Sequence, residues 1–352
     1  MPLMRYQIDL IWVDMYNGAI IGFGAVAENA HVPAFKKRRQ MFNIVAVADA
    51  NPKRLKIAKK LFPKARLYKT DNELFAGEKN LHFVDIATPP TFHYKIIVKA
   101  FKENLHVLCE KPLVFKLSEF NNLVKIAAKK KRCLFTVHNW KHAPPIVKAK
   151  QLIDKGMLGD INHVELGVLR SQPSVTADKK DWRSSPKLSG GGIFTDHGWH
   201  NLYLAYHLTG NKKPCQITVN LSYPPNNNTT ENQAQVLINF KNATSAIHLT
   251  WKSPVRDNFI FIHGDKAVAK ILDDKVLLLQ KNKPPKIYKT KEKLSAGSAH
   301  PTWMVGMLDE FAKGLKNPLQ RTGNLSEAKI CLNLLQAGYK SARTNKTVKL
   351  KI

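Results

Sequence analysis

Cysteine, acidic residues and long apolar runs are scarce in this sequence, and each scarcity removes a class of explanation. The four cysteines, Cys109, Cys133, Cys215 and Cys331, stand far apart among 352 residues. They form no C-x-x-C pair, and no histidine lies at a metal-ligand spacing from them, so neither a disulfide framework nor a metal site is expected. They read as buried, reduced thiols. No stretch approaches the roughly 18 to 20 consecutive apolar residues that span a bilayer. Near the N-terminus a short apolar run is broken by Asp9 and Asp14, and no cationic segment leads into it, unlike a secretory signal. Residues 1–14 therefore read as a loose extension, or as an upstream start ahead of Met15. The expected setting is the cytoplasm, with no membrane partner.

Against 26 Asp plus Glu stand 56 Lys plus Arg, a formal net charge of +30. Such a surface attracts anions, nucleic acid included. The lysines are dispersed on presumed helix faces, as in Lys53-Arg54-Leu55-Lys56-Ile57-Ala58-Lys59-Lys60. No zinc finger, RNP-like aromatic motif or concentrated basic tail accompanies them. A solvated surface accounts for the charge, and no nucleic-acid partner is expected. Apolar residues make up 44% and charged residues 23%, the balance of a globular chain whose length suits two domains.

Short apolar runs alternate with helix-like segments over the first 140 or so residues. Ala19–Ile21, Asn43–Ala48, His82–Ala87, His106–Leu108 and Leu134–Val137 are largely continuous in apolarity, as strands of a parallel sheet covered on both faces should be. Between them, Pro52–Leu61 and Phe92–Lys102 carry apolar residues three and four apart, and Asn51-Pro52 suits the N-cap and first position of a helix. This alternation implies βαβ units in a doubly wound parallel sheet. Beyond residue 140 the pattern changes. A helix near Pro145–Lys155 is closed by Gly156, a strand covers Ile161–Leu169, and a long helix covers Ile193–Leu208. Strands follow at Gln216–Leu221, Ala234–Phe240, Ser245–Thr250, Asn258–Ile262, Ala267–Ile271 and Val276–Leu279, with a loop at Pro224–Asn228. Helices near Pro301–Leu315 and Ser326–Ala342 complete the chain. The expectation is an α/β protein with a dinucleotide-binding domain over 15–138 and an α+β domain, built on a large mostly antiparallel sheet, over 139–352.

The first strand enters Gly22-Phe23-Gly24-Ala25-Val26-Ala27, a G-x-G-x-x-A turn. Its first glycine permits the tight turn, its second lets backbone approach a pyrophosphate, and its small last residue lets helix and strand pack closely. Free N–H groups at the helix start then favour the anion. The second strand ends at Asp49, where a carboxylate can hold the adenine ribose hydroxyls, which points to NAD. Lys53 and Arg54 lie near enough to receive a 2′-phosphate, so NADP stays open.

Two further pieces follow in order. Strand Val107–Cys109 leads into Glu110-Lys111-Pro112, which places Lys111 at the ligand-binding edge of such a sheet. Gly190-Gly191-Gly192 then precedes Asp196-His197-Gly198-Trp199-His200, with the glycines read as permitting close approach of backbone to a ligand. Asp196 and His200, four apart, share one helix face. An imidazole titrating near neutrality can take the proton from a hydroxyl while hydride leaves the same carbon.

In this order the chain resembles the Gfo/Idh/MocA family (glucose-fructose oxidoreductase, inositol dehydrogenase, rhizopine catabolism). The resemblance extends from about Ala19 onward. It rests on Gly22-x-Gly24-x-x-Ala27 with His31-x-Pro33, Ala48-Asp49, Ala87-Thr88-Pro89-x-x-x-His93, Glu110-Lys111-Pro112, Trp182-Arg183 and Asp196-x-x-x-His200. It implies a nicotinamide-dependent oxidoreductase acting on a hydroxyl-bearing carbon of a sugar, polyol or related small molecule. By the resemblance Lys111 binds the reacting hydroxyl, His200 is the general acid/base and Asp196 supports it. Thr88, Pro89 and His93 lie near the nicotinamide, and Asn139, Lys141, Trp182 and Arg183 line the substrate pocket. A homodimer or homotetramer through the open sheet is implied as well. Two positions depart from many inositol-type members: Tyr203 stands where an acidic residue follows the histidine by three, and Asn139-Trp140-Lys141 replaces Asn-x-Arg. The alternative is a non-catalytic, dinucleotide-binding regulatory protein, against which the retention of Lys111, Asp196 and His200 argues. The basic excess could steer an acidic or phosphorylated sugar, with Lys141 and Arg183 as anchors.

Overall fold

A computed structural model describes residues 15–173, 182–225 and 230–350. The expected extension 1–14 and the tip of the expected loop, Asn226–Asn228, lie outside the described residues. The N-terminal part comprises β1 (Tyr16–Ile21), α1 (Val32–Lys37), β2 (Phe42–Ala48), α2 (Pro52–Leu61), β3 (Arg66–Tyr68), α3 (Asp71–Gly77), β4 (Phe83–Ile86), α4 (His93–Lys102), β5 (His106–Cys109), α5 (Leu117–Lys130) and β6 (Leu134–Thr136). Its six strands are parallel in the order β3-β2-β1-β4-β5-β6, the doubly wound arrangement that puts ligands at the carboxyl ends of β1 and β4. Every residue of central strand β4 is buried, which explains its unbroken apolar reading around Asp85. The start of α2 is as its composition dictates: Asn51 Oδ1 accepts the Lys53 amide at 2.9 Å and Pro52 occupies the first turn.

The second part comprises α6 (Pro144–Asp154), β7 (Ile161–Leu169), the short α7 (Pro186–Ser189), α8 (Ile193–Leu208), β8 (Pro214–Ser222), β9 (Gln233–Phe240), β10 (Ala243–Thr250), β11 (Asp257–Gly264), β12 (Ala267–Leu272), β13 (Lys275–Gln280), β14 (Lys286–Lys289), α9 (Pro301–Lys316), α10 (Pro318–Thr344) and β15 (Val348–Lys349). Its nine strands run β14-β13-β12-β11-β7-β10-β9-β8-β15, antiparallel except for β7 beside β10. One face alternates into the core, as β9 shows with Ala234, Val236, Ile238 and Phe240 buried and Gln235, Leu237 and Asn239 exposed, and α8 lies against it. The sequence reading missed β3, β14 and β15, short segments on or near sheet edges, with too few apolar residues to mark them. Helix α10 begins at Pro318 rather than near Ser326, because Asn317 Oδ1 caps Leu319 and Pro318 fits the first turn. Cys109, Cys133 and Cys331 are buried, but Cys215 is exposed, since it points outward where β8 begins.

A division at residue 138 does not divide the cores. Helix α9 sends Met304, Met307, Leu308 and Phe311 into the cluster beneath β1 and β2. The Phe311 ring stacks on Phe42 at 5.9 Å and meets Phe83 edge-on at 5.7 Å. Arg38 donates two hydrogen bonds of 2.6 Å to the Asp309 carboxylate beside it.

Directly before α1, fully buried His31 joins two carboxylates: Nδ1 lies 2.7 Å from Asp85 Oδ2 and Nε2 lies 3.0 Å from Glu110 Oε1. Burial disfavours the imidazolium, but the two acids outweigh it and raise its pKa from 6.5 to about 10. A pKa raised by folding contributes stability that is fully present below the unfolded value of 6.5 and is lost as pH rises through about 10. Urea unfolding of wild type and His31→Gln should therefore differ most near pH 6 and converge as pH approaches 10. A difference that grows with pH would show that His31 is neutral in the folded protein.

Candidate active site

One cavity of about 640 Å³ runs from the glycine turn after β1 to the first turns of α8, within the size range of small-molecule sites. At one end Gly22, Gly24, Ala25, Val26 and Asp49 line it. Gly22 has φ +88°, and a Cβ there would sit 2.7 Å from the Thr88 backbone nitrogen, so the turn demands glycine. A Cβ on Gly24 would meet nothing within 4 Å, which leaves room against its backbone for a ligand. Asp49 Oδ2 accepts the Phe23 amide at 2.6 Å and Oδ1 accepts the Asn51 amide at 2.8 Å. The carboxylate thus braces the turn and, with further lone pairs on each oxygen, still lines the cavity. Arg54 turns inward. It donates to the Phe23 carbonyl at 2.5 Å and to Glu28 Oε2 at 2.7 Å.

The middle of the cavity is formed by Thr88, Pro89, Glu110 and Lys111. His93 stays off it: its ring nitrogens lie 2.9 Å from the carbonyls of Pro112 and Thr88, joining the loops after β5 and β4. Burial lowers its pKa, against the pull of both carbonyls. Phe23 likewise contributes only backbone to the turn, its ring being fully buried. Thr88 and, further along, Asn139 line the cavity, and their buried Oγ1 and Oδ1 have no hydrogen-bond partner among the described residues.

At the far end Lys111 Nζ donates to Asp196 Oδ1 at 2.8 Å and to the Asp196 carbonyl at 2.9 Å. An ammonium has three donors, so one remains for a substrate oxygen. Burial alone would raise the Asp196 pKa, but Lys111, His197 and Arg183 hold it well below the usual carboxylate range. Arg183 Nε and His197 Nδ1 each lie 3.5 Å from Asp196 Oδ2, and the Arg183 guanidinium lies over Trp182 at 4.5 Å. The expected support of His200 by Asp196 is not what the geometry gives. His200 Nδ1 lies 2.8 Å from Tyr203 Oη, which also accepts the Trp140 amide at 3.0 Å, and its ring stacks on Trp140 at 4.8 Å. The carboxylate is held by Lys111, and the tyrosine that replaces an acid takes the imidazole. Burial, then the Lys111 charge, push the His200 pKa well below 6.5, so the ring is neutral.

Two further expected placements fail. Lys141 does not line the cavity; its ammonium donates to Glu327 Oε2 at 2.8 Å, where His138 Nδ1 also lies at 2.7 Å. The two buried groups need each other as counter-charges. The glycines at 190–192 do not open onto the cavity either: a Cβ on Gly192 would overlap the backbone of Glu231, and the Glu231 carboxylate accepts the amides of Gly192 and Phe194 at 2.8 and 3.0 Å. Glu231 therefore caps α8, the helix that carries Asp196 and His200. Nothing in the sequence marked it, because its partner lies 39 positions away. Arg170, Arg256 and His300 also line this end and were missed, each being an unremarkable basic residue in a basic chain. Among the described residues, no group of three or more His, Cys, Asp and Glu could hold a metal ion, and no helix is long and apolar enough to cross a membrane.

The sequence matches the family described as "Oxidoreductase family, NAD-binding Rossmann fold" over residues 16–138 and the "GFO/IDH/MocA C-terminal domain" over 146–270. The chain belongs to the Gfo/Idh/MocA family. It is 30% identical over 197 residues to Oxidoreductase P35 of Formosa agariphila, a match covering 55% of this chain and 60% of that protein. With the scyllo-inositol 2-dehydrogenase (NADP(+)) IolW of Bacillus subtilis it shares 26% identity over 209 residues, 59% of this chain and 55% of the relative. The chain thus spans little more than half the length of these curated relatives. A levoglucosan dehydrogenase solved in complex with NADH superposes with a TM-score of 0.83, covering 96% of this chain and 99% of that one at 19% identity. At that identity the likeness shows a shared fold.

Gly22→Ala should cost about 1–3 kcal/mol in folding stability, because it combines a left-handed backbone with a backbone clash. Unfolding and NADH fluorescence titrations of the variant check this; wild-type stability would show the turn to be more pliable than its geometry.

Proposed function

We propose that the protein is an NAD-dependent oxidoreductase acting on a hydroxyl-bearing carbon of a sugar, polyol or related small molecule. The observation that carries this reading is a single cavity with a dinucleotide turn at one end and Lys111, Asp196 and His200 at the other. In it Gly22, Gly24, Ala25 and Val26 hold the pyrophosphate and Asp49 the adenine ribose, with Thr88, Pro89 and Glu110 along the middle. The nicotinamide, when bound, supplies the acceptor or donor of hydride. Asn139, Trp182 and Arg183 line the substrate end.

Lys111 directs its remaining N–H at the reacting hydroxyl and stabilises the negative charge that grows there, since its ammonium is already fixed by Asp196. His200 accepts the hydroxyl proton as oxidation proceeds and returns it in reduction. For this role Nδ1 carries the hydrogen and donates to Tyr203 Oη, which leaves Nε2 for the substrate. The depressed pKa keeps the base free well into the acid range. The preference for NAD is supported by the Asp49 carboxylate at the ribose position and by Arg54, whose guanidinium is committed to Glu28 and the Phe23 carbonyl. Lys53 is exposed and does not line the cavity.

Fluorescence titration should show saturable NADH binding, with NADPH much weaker. Lys111→Met should lower turnover by about 10²–10⁴-fold while NADH affinity stays near wild type. Full turnover in that variant, or binding of neither dinucleotide, would sink the assignment.

The same reading includes a homodimer or homotetramer formed through the open face of the nine-stranded sheet. That face carries Leu237, 57% exposed, with Phe259 and Phe261 ring to ring at 5.3 Å on β11. Apolar side chains on an uncovered sheet face favour association. Leu237→Arg should reduce the mass measured by light scattering from that of an oligomer to that of one chain; a wild-type protein already of single-chain mass would rule the oligomer out.

A further inference from the structure

Among the described residues, the charges at the substrate end do not balance. Asp196 is the one carboxylate lining that end among the described residues, and Lys111, Arg183 and His197 all draw on it. Arg170 and Arg256 line the same cavity and hydrogen-bond only to neutral groups. Arg170, 3% exposed, donates to the carbonyls of Leu169 and Asp257 at 2.7 and 2.9 Å and to Asn258 Oδ1 at 3.0 Å. Its Nε is buried without a hydrogen-bond partner. Arg256 donates to the carbonyls of Ser295, at 2.7 Å, and Gly297. Asp257 and Asp196 lend Arg170 some compensation at longer range, but neither carboxylate hydrogen-bonds to it.

Such an arrangement is costly without an anion. A buried guanidinium needs a counter-charge, and a donor left buried and unpaired costs free energy. The cost is visible in the pKa values of the group. Burial first, and then the neighbouring Arg256, bring Arg170 down to about 10. Burial and the two arginines push His300, on the same wall, to about 4, so that histidine adds no charge. Guanidinium groups also match the planar fork of an oxyanion better than a lysine would. Neutral hydroxyls would leave both arginines uncompensated.

Resting on the oxidoreductase reading above, we propose that the substrate is a hydroxy compound bearing an oxyanion, a carboxylate or a phosphate, and that Arg170 and Arg256 receive that group. The anchors are then these two arginines, with Lys141 taking no part. The oxyanion orients the substrate so that its hydroxyl meets Lys111 and His200, and the surplus of positive charge becomes a selectivity device against uncharged sugars.

Calorimetric titration of the NADH-saturated protein tests this with a panel of hexuronates, hexose 6-phosphates and the uncharged parent sugars. At least one acid should bind about tenfold or more tighter than its parent, the worth of a charge-assisted hydrogen bond. Which arm holds the tight binder tells carboxylate from phosphate. Arg256→Gln should abolish that advantage, and Arg256→Lys should restore part of it, while NADH affinity stays near wild type. Parents binding as tightly as their acids, no acid binding at all, or an advantage unchanged in Arg256→Gln would overturn the proposal. The oxidoreductase reading fails separately: a tightly bound acid that is not oxidised when NAD+ replaces NADH, or binding of acids by a protein that takes no NADH, counts against that reading and leaves the anion site standing.

Discussion

Lys111 and Asp196 lie 85 positions apart, one after a strand of the parallel sheet and the other in the first turn of α8, and their ion pair is where the two parts of the chain meet chemically. A buried pair of this kind is worth little as net stability, but loss of either partner strands a charge in a poor solvent. The surrounding architecture fixes both ends. Glu110, itself tied to His31 and through it to Asp85, accepts the Lys111 amide at 3.1 Å. Glu231 holds the amides that open α8 and so sets the direction from which Asp196 arrives. Glu110 and Glu231 thereby position Lys111 and Asp196.

The same burial that makes these pairs necessary controls protonation. His197 falls to about 3 and His200 well below 6.5, each chiefly because water is excluded and then because cations stand close. One environment therefore keeps both imidazoles unprotonated and favours negative charge on an oxygen placed beside Lys111. In water these demands would conflict, since a positive field strong enough to steady an alkoxide would be screened. Tyr203 completes the device by orienting the imidazole without adding a charge, where a carboxylate would raise the histidine pKa.

Packing couples the two parts as firmly as electrostatics does. Helix α9 belongs to the second part by sequence and to the first by core, with Phe311 among Phe42, Phe83 and Phe135. The Arg38–Asp309 pair fastens the same contact at its rim. Because α9 follows the loop that holds Ser298 and His300, the wall of the cavity is anchored in the dinucleotide-binding half. The substrate end and the cofactor end are thus held to one frame, which the hydroxyl chemistry proposed for them requires.

Local rules were enough for much of this. The glycine turn, the Asn51-Pro52 helix start, the strand at Ile161–Leu169 and the helix at Ile193–Leu208 follow from periodicity, capping and sterics among near neighbours, and the structure has them with those bounds. Glu110-Lys111-Pro112 and the Asp196–His200 spacing marked the residues that the fold brings to one cavity. What local rules could not supply is pairing across the chain. Lys141 belongs to Glu327, 186 positions on, and Glu231 to the start of α8; Arg170 and Arg256 become a pair only when β7 and β11 lie side by side. A charged side chain's role depends on which counter-charge burial leaves within reach, and that is decided by tertiary structure, because Coulomb energies become selective only once water has been removed.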